Sequence, residues 1–302
     1  MQKKMRSPTE ASEMIPPPPP PPPPPEEQRR QDGAALQRDH DTGVMDNPAV
    51  SLVEMQFEKI ITGFQDSIAI SRVSHLKQVL QKGPQCGLVA LSMASQLLHG
   101  EPVSVSTLFG MAKSLHFTKK GEMFSVENMK TLAEECLQKC SLEIVSKEHR
   151  QAEIVRNLLR GKPVLIPYDS DGNFEPCLKR GRTAHWAVLH GICLVLRPSS
   201  LKGGLECLSQ LDLQCQKVLH VGNSTPEEAI TEFVKLAGSR EAVVYVYASQ
   251  GKSRHVALWE LDILLDSNEN LADFTQKHDV SEFVLPDGGV VQGLSNQVLL
   301  FT

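Results

Sequence analysis

A chain of 302 residues with a formal net charge of -5 and a pI near 6.1 has no global basic field, which argues against nucleic acid or an anionic membrane as its main partner. The opening MQKKMRSPTEASEMI runs into prolines without the apolar h-region of a secretory signal, and the longest apolar stretch, Val188 to Leu196, falls well short of the roughly 20 residues of a membrane span. Seven cysteines at irregular positions, odd in number and without an export signal, read as reduced thiols, so a soluble cytosolic protein is expected.

Residues 1 to 48 are expected to be a disordered proline-rich tail. The ten consecutive prolines Pro16 to Pro25 can form only an extended polyproline II rod, and the charged stretch after them cannot join a core. Asp46-Asn47-Pro48 closes the tail, and residues 49 to 302 form one domain whose ordered part starts near Ser51. From Cys86 to His99 the sequence CGLVALSMASQLLH places Leu88, Leu91, Ser95 and Leu98 on one stripe, between Gly83-Pro84 and Gly100. This spacing predicts a buried helix with Cys86 in its first turn. Further helices are predicted over Val105 to His116, from a Ser125 cap through Cys136, and over Ala152 to Arg160, the last ending at Gly161.

A strand is predicted at Pro163 to Tyr168, then others at His185 to Leu189, Ala242 to Ala248 and Val256 to Leu261, the last two joined by the turn Gln250-Gly251-Lys252-Ser253. Phe283 to Leu285 and Val298 to Phe301 supply shorter ones. Helices first and antiparallel strands later is the order of an α+β fold. Residues 197 to 240 carry few signals and read as an insertion.

Cys86 is the candidate nucleophile. A thiol attacks as thiolate, and unpaired amides at a helix N-terminus lower its pKa. Gly83 and Gly87 would let a substrate backbone approach, and Gln81 could donate its amide, beside the Cys86 N–H, to a developing oxyanion. An ordinary small core residue at a helix start would look much the same. His185 adds the second half: it opens an apolar strand after the polar loop Lys179-Arg180-Gly181-Arg182-Thr183, at a strand edge beside a cleft. His190 is the control, five residues on and facing away from His185. A third group should orient the imidazole; Gln250, Asp262 and Asn268 are the candidates.

With these residues in view, the chain closely resembles the actin maturation protease family. The resemblance rests on Lys82 to Leu91 around Gly83-Pro84-Gln85-Cys86-Gly87, on Gly121 to Val126, Leu165 to Asp169, Glu175-Pro176-Cys177, Ala184 to Val188 and Gln250 to Ser253, in that order. It implies a papain-like α+β fold related to the double-glycine leader peptidases of bacterial exporters. It further implies a cysteine aminopeptidase that removes the N-terminal acetylated residue of newly made actin, with Cys86 as nucleophile and His185 as base. In the leader peptidases the oxyanion glutamine sits six residues before the cysteine; Gln81 sits five before. On this reading Lys179, Arg180 and Arg182 could attract an acidic peptide, with a solvated loop the ordinary reading of so short a basic run. Pro16 to Pro25 resembles profilin ligands, so profilin is an expected partner alongside actin, with an inert spacer the alternative.

Other motifs fail. Cys136 and Cys140, four apart with His149 downstream, lack a second tight pair to complete a metal site, and no cofactor is expected. His99-Gly100-Glu101 lacks the Pro-Cys-x-x-Cys of zinc deaminases, and Gly251-Lys252-Ser253 lacks the first glycine of a phosphate loop. Two rivals to the peptidase stand: another Cys-His hydrolase or acyltransferase of deubiquitinase type, and a non-catalytic adaptor for profilin or actin.

Overall fold

The computed structural model describes residues 58–60, 62–63, 67–138, 140–197, 218–273 and 280–302. Contacts group residues 45 to 302 as one unit. The tail of residues 1 to 48, with Pro16 to Pro25, and the start expected near Ser51 lie outside the described residues.

The elements in chain order are β1 (Ile68–Val73), α1 (Cys86–His99), α2 (Val105–Ser114), α3 (Val126–Cys136), β2 (Leu142–Ser146), α4 (Arg150–Leu159), β3 (Val164–Asp169) and β4 (Ala184–Leu196). Then come β5 (Val218–His220), α5 (Glu227–Ala237), β6 (Ala242–Gln250), β7 (Ala257–Glu260), α6 (Leu261–Glu269), a 3-10 turn at Val280–Glu282, α7 (Gly289–Leu294) and β8 (Gln297–Phe301). The eight strands form one mixed sheet, antiparallel at every pairing except β1 with β5.

β4 is the axis of this sheet. β3 pairs with Ala184 to Leu189 and β1 with Gly191 to Leu196, while β6 runs along Ala187 to Leu196. The β4–β6 register slips between Leu189 and Gly191, which makes His190 the extra residue of a bulge. Successive side chains of β4 alternate between two cores. Ala187 and Leu189 pack with Ile154 and Leu158 of α4, Ile230 and Phe233 of α5, and Leu261 and Leu264 of α6. Trp186 and Val188 pack with Leu88 and Leu91 of α1, Leu108 of α2 and Met129 of α3. The sheet is thus covered by helices on both faces.

α1 is buried around most of its girth, from Gly87 to Ser95, rather than along the single expected stripe. Its two serines are admitted because the Ser92 hydroxyl donates to the Val103 carbonyl at 2.6 Å and the Ser95 hydroxyl accepts from the Val103 N–H at 2.8 Å. Gly100, at φ 82, ends it.

The order of helices and then strands is corrected in four places. β1 and β2 precede the expected sheet, and both are short. α5 lies inside the segment read as an insertion, of which 198–217 fall outside the described residues; Pro226 opens it, and Ala229, Ile230, Phe233 and Ala237 form its buried stripe. α6 follows β7 directly at Leu261. Phe283 to Leu285 is no strand, because the Val284 N–H is taken by the Glu122 carboxylate at 3.1 Å instead of a ladder. No helix among the described residues is long and apolar enough to cross a membrane.

Candidate active site

Cys86 is the first residue of α1. Gln85 stands at the cap position without a side-chain bond to the first turn, so the leading amides of α1 are left uncapped. The thiol is half-buried. Burial pushes its pKa up, while the N–H groups of Trp186, Gly87 and Cys86 itself, and then the Lys252 ammonium, pull it back. Gly87 serves helix packing rather than substrate approach: a Cβ there would lie 2.8 Å from the Met129 methyl and 3.0 Å from Met123.

His185 enters from β4, where it pairs in register with Tyr168 of β3. The Tyr168 ring meets it edge-on at 5.9 Å, and Phe174 lies against it at 5.6 Å. Its Nε2 is 3.2 Å from Gln250 Oε1. That oxygen also accepts the Lys252 backbone N–H at 2.6 Å, which fixes the orientation of the amide. An amide oxygen only accepts, so Nε2 carries the hydrogen and Nδ1 keeps its lone pair. Burial lowers the His185 pKa to about 4, opposed by the Gln250 bond and assisted by the Lys252 charge. At neutral pH the ring is therefore an uncharged base.

A cleft of about 500 Å³ brings Cys86, His185 and Gln81 to one wall system, with Lys252, Met123 and Phe283 beside them. Gln81 is held by its backbone N–H on the Gly251 carbonyl at 2.8 Å. Gly251 makes room for it, since a Cβ there would lie 2.8 Å from Gln81 Oε1. One hydrogen of the Gln81 amide goes to the Gly83 carbonyl at 2.7 Å, leaving the second available. Glu122, also on the cleft, is pushed up by burial but held below the usual carboxylate range by the N–H groups of Lys119 and Lys120.

Of the three groups considered for orienting His185, Gln250 alone touches it among the described residues. Asp262 is exposed and accepts from Gln151 at 3.3 Å. Asn268 is buried under β3, accepting from Arg150 at 2.7 Å and donating to the Pro167 carbonyl at 2.8 Å; it docks α6. His190 is away from the cleft, with Nδ1 on the Ser74 carbonyl at 2.7 Å and Nε2 on the Ser249 hydroxyl at 3.0 Å. Cys140 Sγ lies 3.3 Å from the Leu137 carbonyl, and no cluster of three metal-ligating side chains occurs among the described residues. Lys252 escaped the sequence reading, although it stands two residues after Gln250 in the turn. Phe174 did too; it sits at φ 65 in a turn that Asp171 closes by accepting the N–H groups of Asn173 and Glu175.

Residues 76–193, which carry both Cys86 and His185, match the family model described as actin maturation protease-like, C-terminal domain. Over 242 residues the chain is 37% identical to the actin maturation protease of Danio rerio, covering 75% of this chain and 72% of that one. The chain belongs to the actin maturation protease family. Another member, from Homo sapiens, is 39% identical over 233 residues, covering 75% of this chain and 64% of its own length. The member from Drosophila melanogaster is 31% identical over 242 residues. This chain thus spans a little under two thirds of the human actin maturation protease. No solved structure matches the chain.

Proposed function

We propose that this chain is a cysteine aminopeptidase with a papain-like arrangement, which removes the N-terminal acetylated residue of immature actin. Family membership supports the protease class and the substrate. The observation that carries the chemistry is the shared cleft: Cys86 at an uncapped helix start, and His185 with Nε2 tied to Gln250 and Nδ1 uncommitted.

In this mechanism Cys86 Sγ attacks the carbonyl carbon of the first peptide bond and its proton passes to His185 Nδ1. The oxyanion is met by the Cys86 N–H and the second hydrogen of the Gln81 amide. The C–N bond breaks as His185 gives the proton to the leaving amine, and a thioester remains on Cys86. Water, deprotonated by His185, cleaves the thioester and releases the acetylated residue, restoring the thiol. Because both groups are uncharged at rest, proton transfer accompanies attack rather than preceding it.

Mass spectrometry of actin N-termini, after exposure to the wild type and to Cys86→Ala, tests the reading. Processing by the wild type and none by the variant is expected. Equal processing by both would sink it.

A further inference from the structure

Phe174 lies in the loop between β3 and β4 at φ 65, a left-handed conformation that a bulky side chain adopts only at a cost in conformational energy. Gly172 and Asn173, residue types at ease in that conformation, stand just before it and do not take it. The strain falls instead on a residue that lines the cleft and lies against His185.

The loop holds this conformation from several sides. The Asp171 carboxylate accepts the N–H groups of Asn173 and Glu175 at 2.7 and 2.9 Å, and the Asp171 N–H donates to the Glu175 carbonyl at 2.9 Å. At its base the Cys177 N–H donates to the Asp169 carbonyl at 2.8 Å. The Tyr168 hydroxyl donates to the Phe174 carbonyl at 2.8 Å, and the same Tyr168, fully buried in β3, sets its ring edge-on to His185. Tyr168, Phe174 and His185 therefore form a closed triangle. The bond from His185 Nε2 to Gln250 fixes one atom of the imidazole and by itself leaves the ring free to tilt. Tyr168 at 86° and Phe174 at 38° to the imidazole plane restrict that tilt, and they leave only 7% of His185 exposed although it borders the cleft.

We infer that Phe174 is a positioning residue for His185: its strained turn presses the phenyl ring onto the imidazole, sets the tilt at which Nδ1 meets the Cys86 thiol and keeps that side of the ring dry. The inference rests on the Cys86–His185 mechanism proposed above. The titratable and charged groups that face His185 are Tyr168 on β3, Cys86 at the start of α1 and Lys252 in the β6–β7 turn, with Glu122 and Arg182 on the same cleft. Substitution of Phe174 alters none of them, so a change in the titration of His185 reports its cover.

Two variants of the full chain test this. Phe174→Gly removes the ring and relieves the backbone at once, whereas Phe174→Tyr keeps the ring. Each is read by kcat and KM on an acetylated actin N-terminal peptide, by its urea midpoint, and by NMR titration of the His185 ring. In Phe174→Gly kcat falls roughly tenfold or more while KM stays within about twofold. Its urea midpoint stays close to that of the wild type, because relieved strain offsets lost contacts, and the His185 midpoint rises from about 4 toward 6.5. Phe174→Tyr restores kcat and the His185 midpoint together. A kcat within about twofold of the wild type in Phe174→Gly overturns the inference alone, whatever the His185 midpoint. A raised KM at unchanged kcat makes Phe174 a contact for substrate and overturns it too, as does a loss of kcat that only follows a loss of stability. No cleavage of the peptide by the wild type removes the peptidase reading, and the inference with it.

Discussion

β4 carries two histidines five residues apart, one near its start and one at its midpoint, and the same side chain is put to different uses at the two places. Burial drives both to a pKa of about 4, so both rings are neutral at physiological pH. His190, in the bulge, has both nitrogens committed: Nδ1–H donates to the Ser74 carbonyl and Nε2 accepts from Ser249, whose hydroxyl oxygen also takes the Gln78 amide. It fastens the segment leading to Cys86 onto the sheet. His185 has one nitrogen tied to Gln250 and the other uncommitted beside the cleft. A depressed pKa is thus no mark of a base by itself; a spare lone pair facing a cavity is.

Substitution series break the comparison most sharply. His185→Ala should lower kcat by roughly 10²- to 10⁴-fold, the usual worth of general acid–base catalysis. Gln250→Ala, which leaves the ring but frees its orientation, should cost roughly ten- to a hundredfold in kcat with little change in KM. His190→Gln should lose less than about tenfold in kcat, yet cost on the order of 1–3 kcal/mol of stability by leaving buried partners unsatisfied. Comparable losses of kcat at His185 and His190 would remove the distinction between them.

Acidification sharpens the same comparison. Each histidine titrates at 6.5 when free and at about 4 when folded. Between those values the unfolded chain binds protons that the folded chain does not, so stability rises with pH across the window and falls as pH drops from 6.5 through 4. The two rings together contribute a slope that His190→Gln should reduce by about half, each ring contributing at most about 3 kcal/mol. Urea denaturation at several pH values reads this directly. A flat profile from pH 7 to 4 would contradict burial of both rings.

The helical half was the more legible in the sequence. α1 announces itself by apolar density between Gly83-Pro84 and Gly100, and the Ser125 cap of α3 holds, accepting the Asn128 N–H; α2 has a cap of the same kind in Ser104, which accepts from Thr107 and was not foreseen. In the sheet β3, β4, β6, β7 and β8 were legible as apolar runs, whether buried on both faces like β3 and β4 or short and half-buried like β7. β1 and β2 are specified by their partners, β4 and β8, which lie far along the chain. At the site, local pattern sufficed to nominate Cys86 and His185 because each opens an element. It did not separate Gln250 from Asp262 and Asn268, since that choice depends on how the β6–β7 turn falls across β4. The run Lys179, Arg180 and Arg182 stands out in the sequence, but not that Arg180 is taken by Asp273 or that Lys252 reaches the Cys86 cleft from a distant turn.

The central claim is that Cys86 and His185 act together in acyl transfer, and acid quenching during turnover tests it most directly. The enzyme is mixed with an actin N-terminal peptide bearing its acetylated first residue, stopped at millisecond intervals, digested and examined by mass spectrometry. The account predicts a transient thioester of the acetylated residue on the peptide containing Cys86, absent from Cys86→Ala and slower to form in His185→Ala. Product release with no adduct at any time, and undiminished in Cys86→Ala, would contradict it.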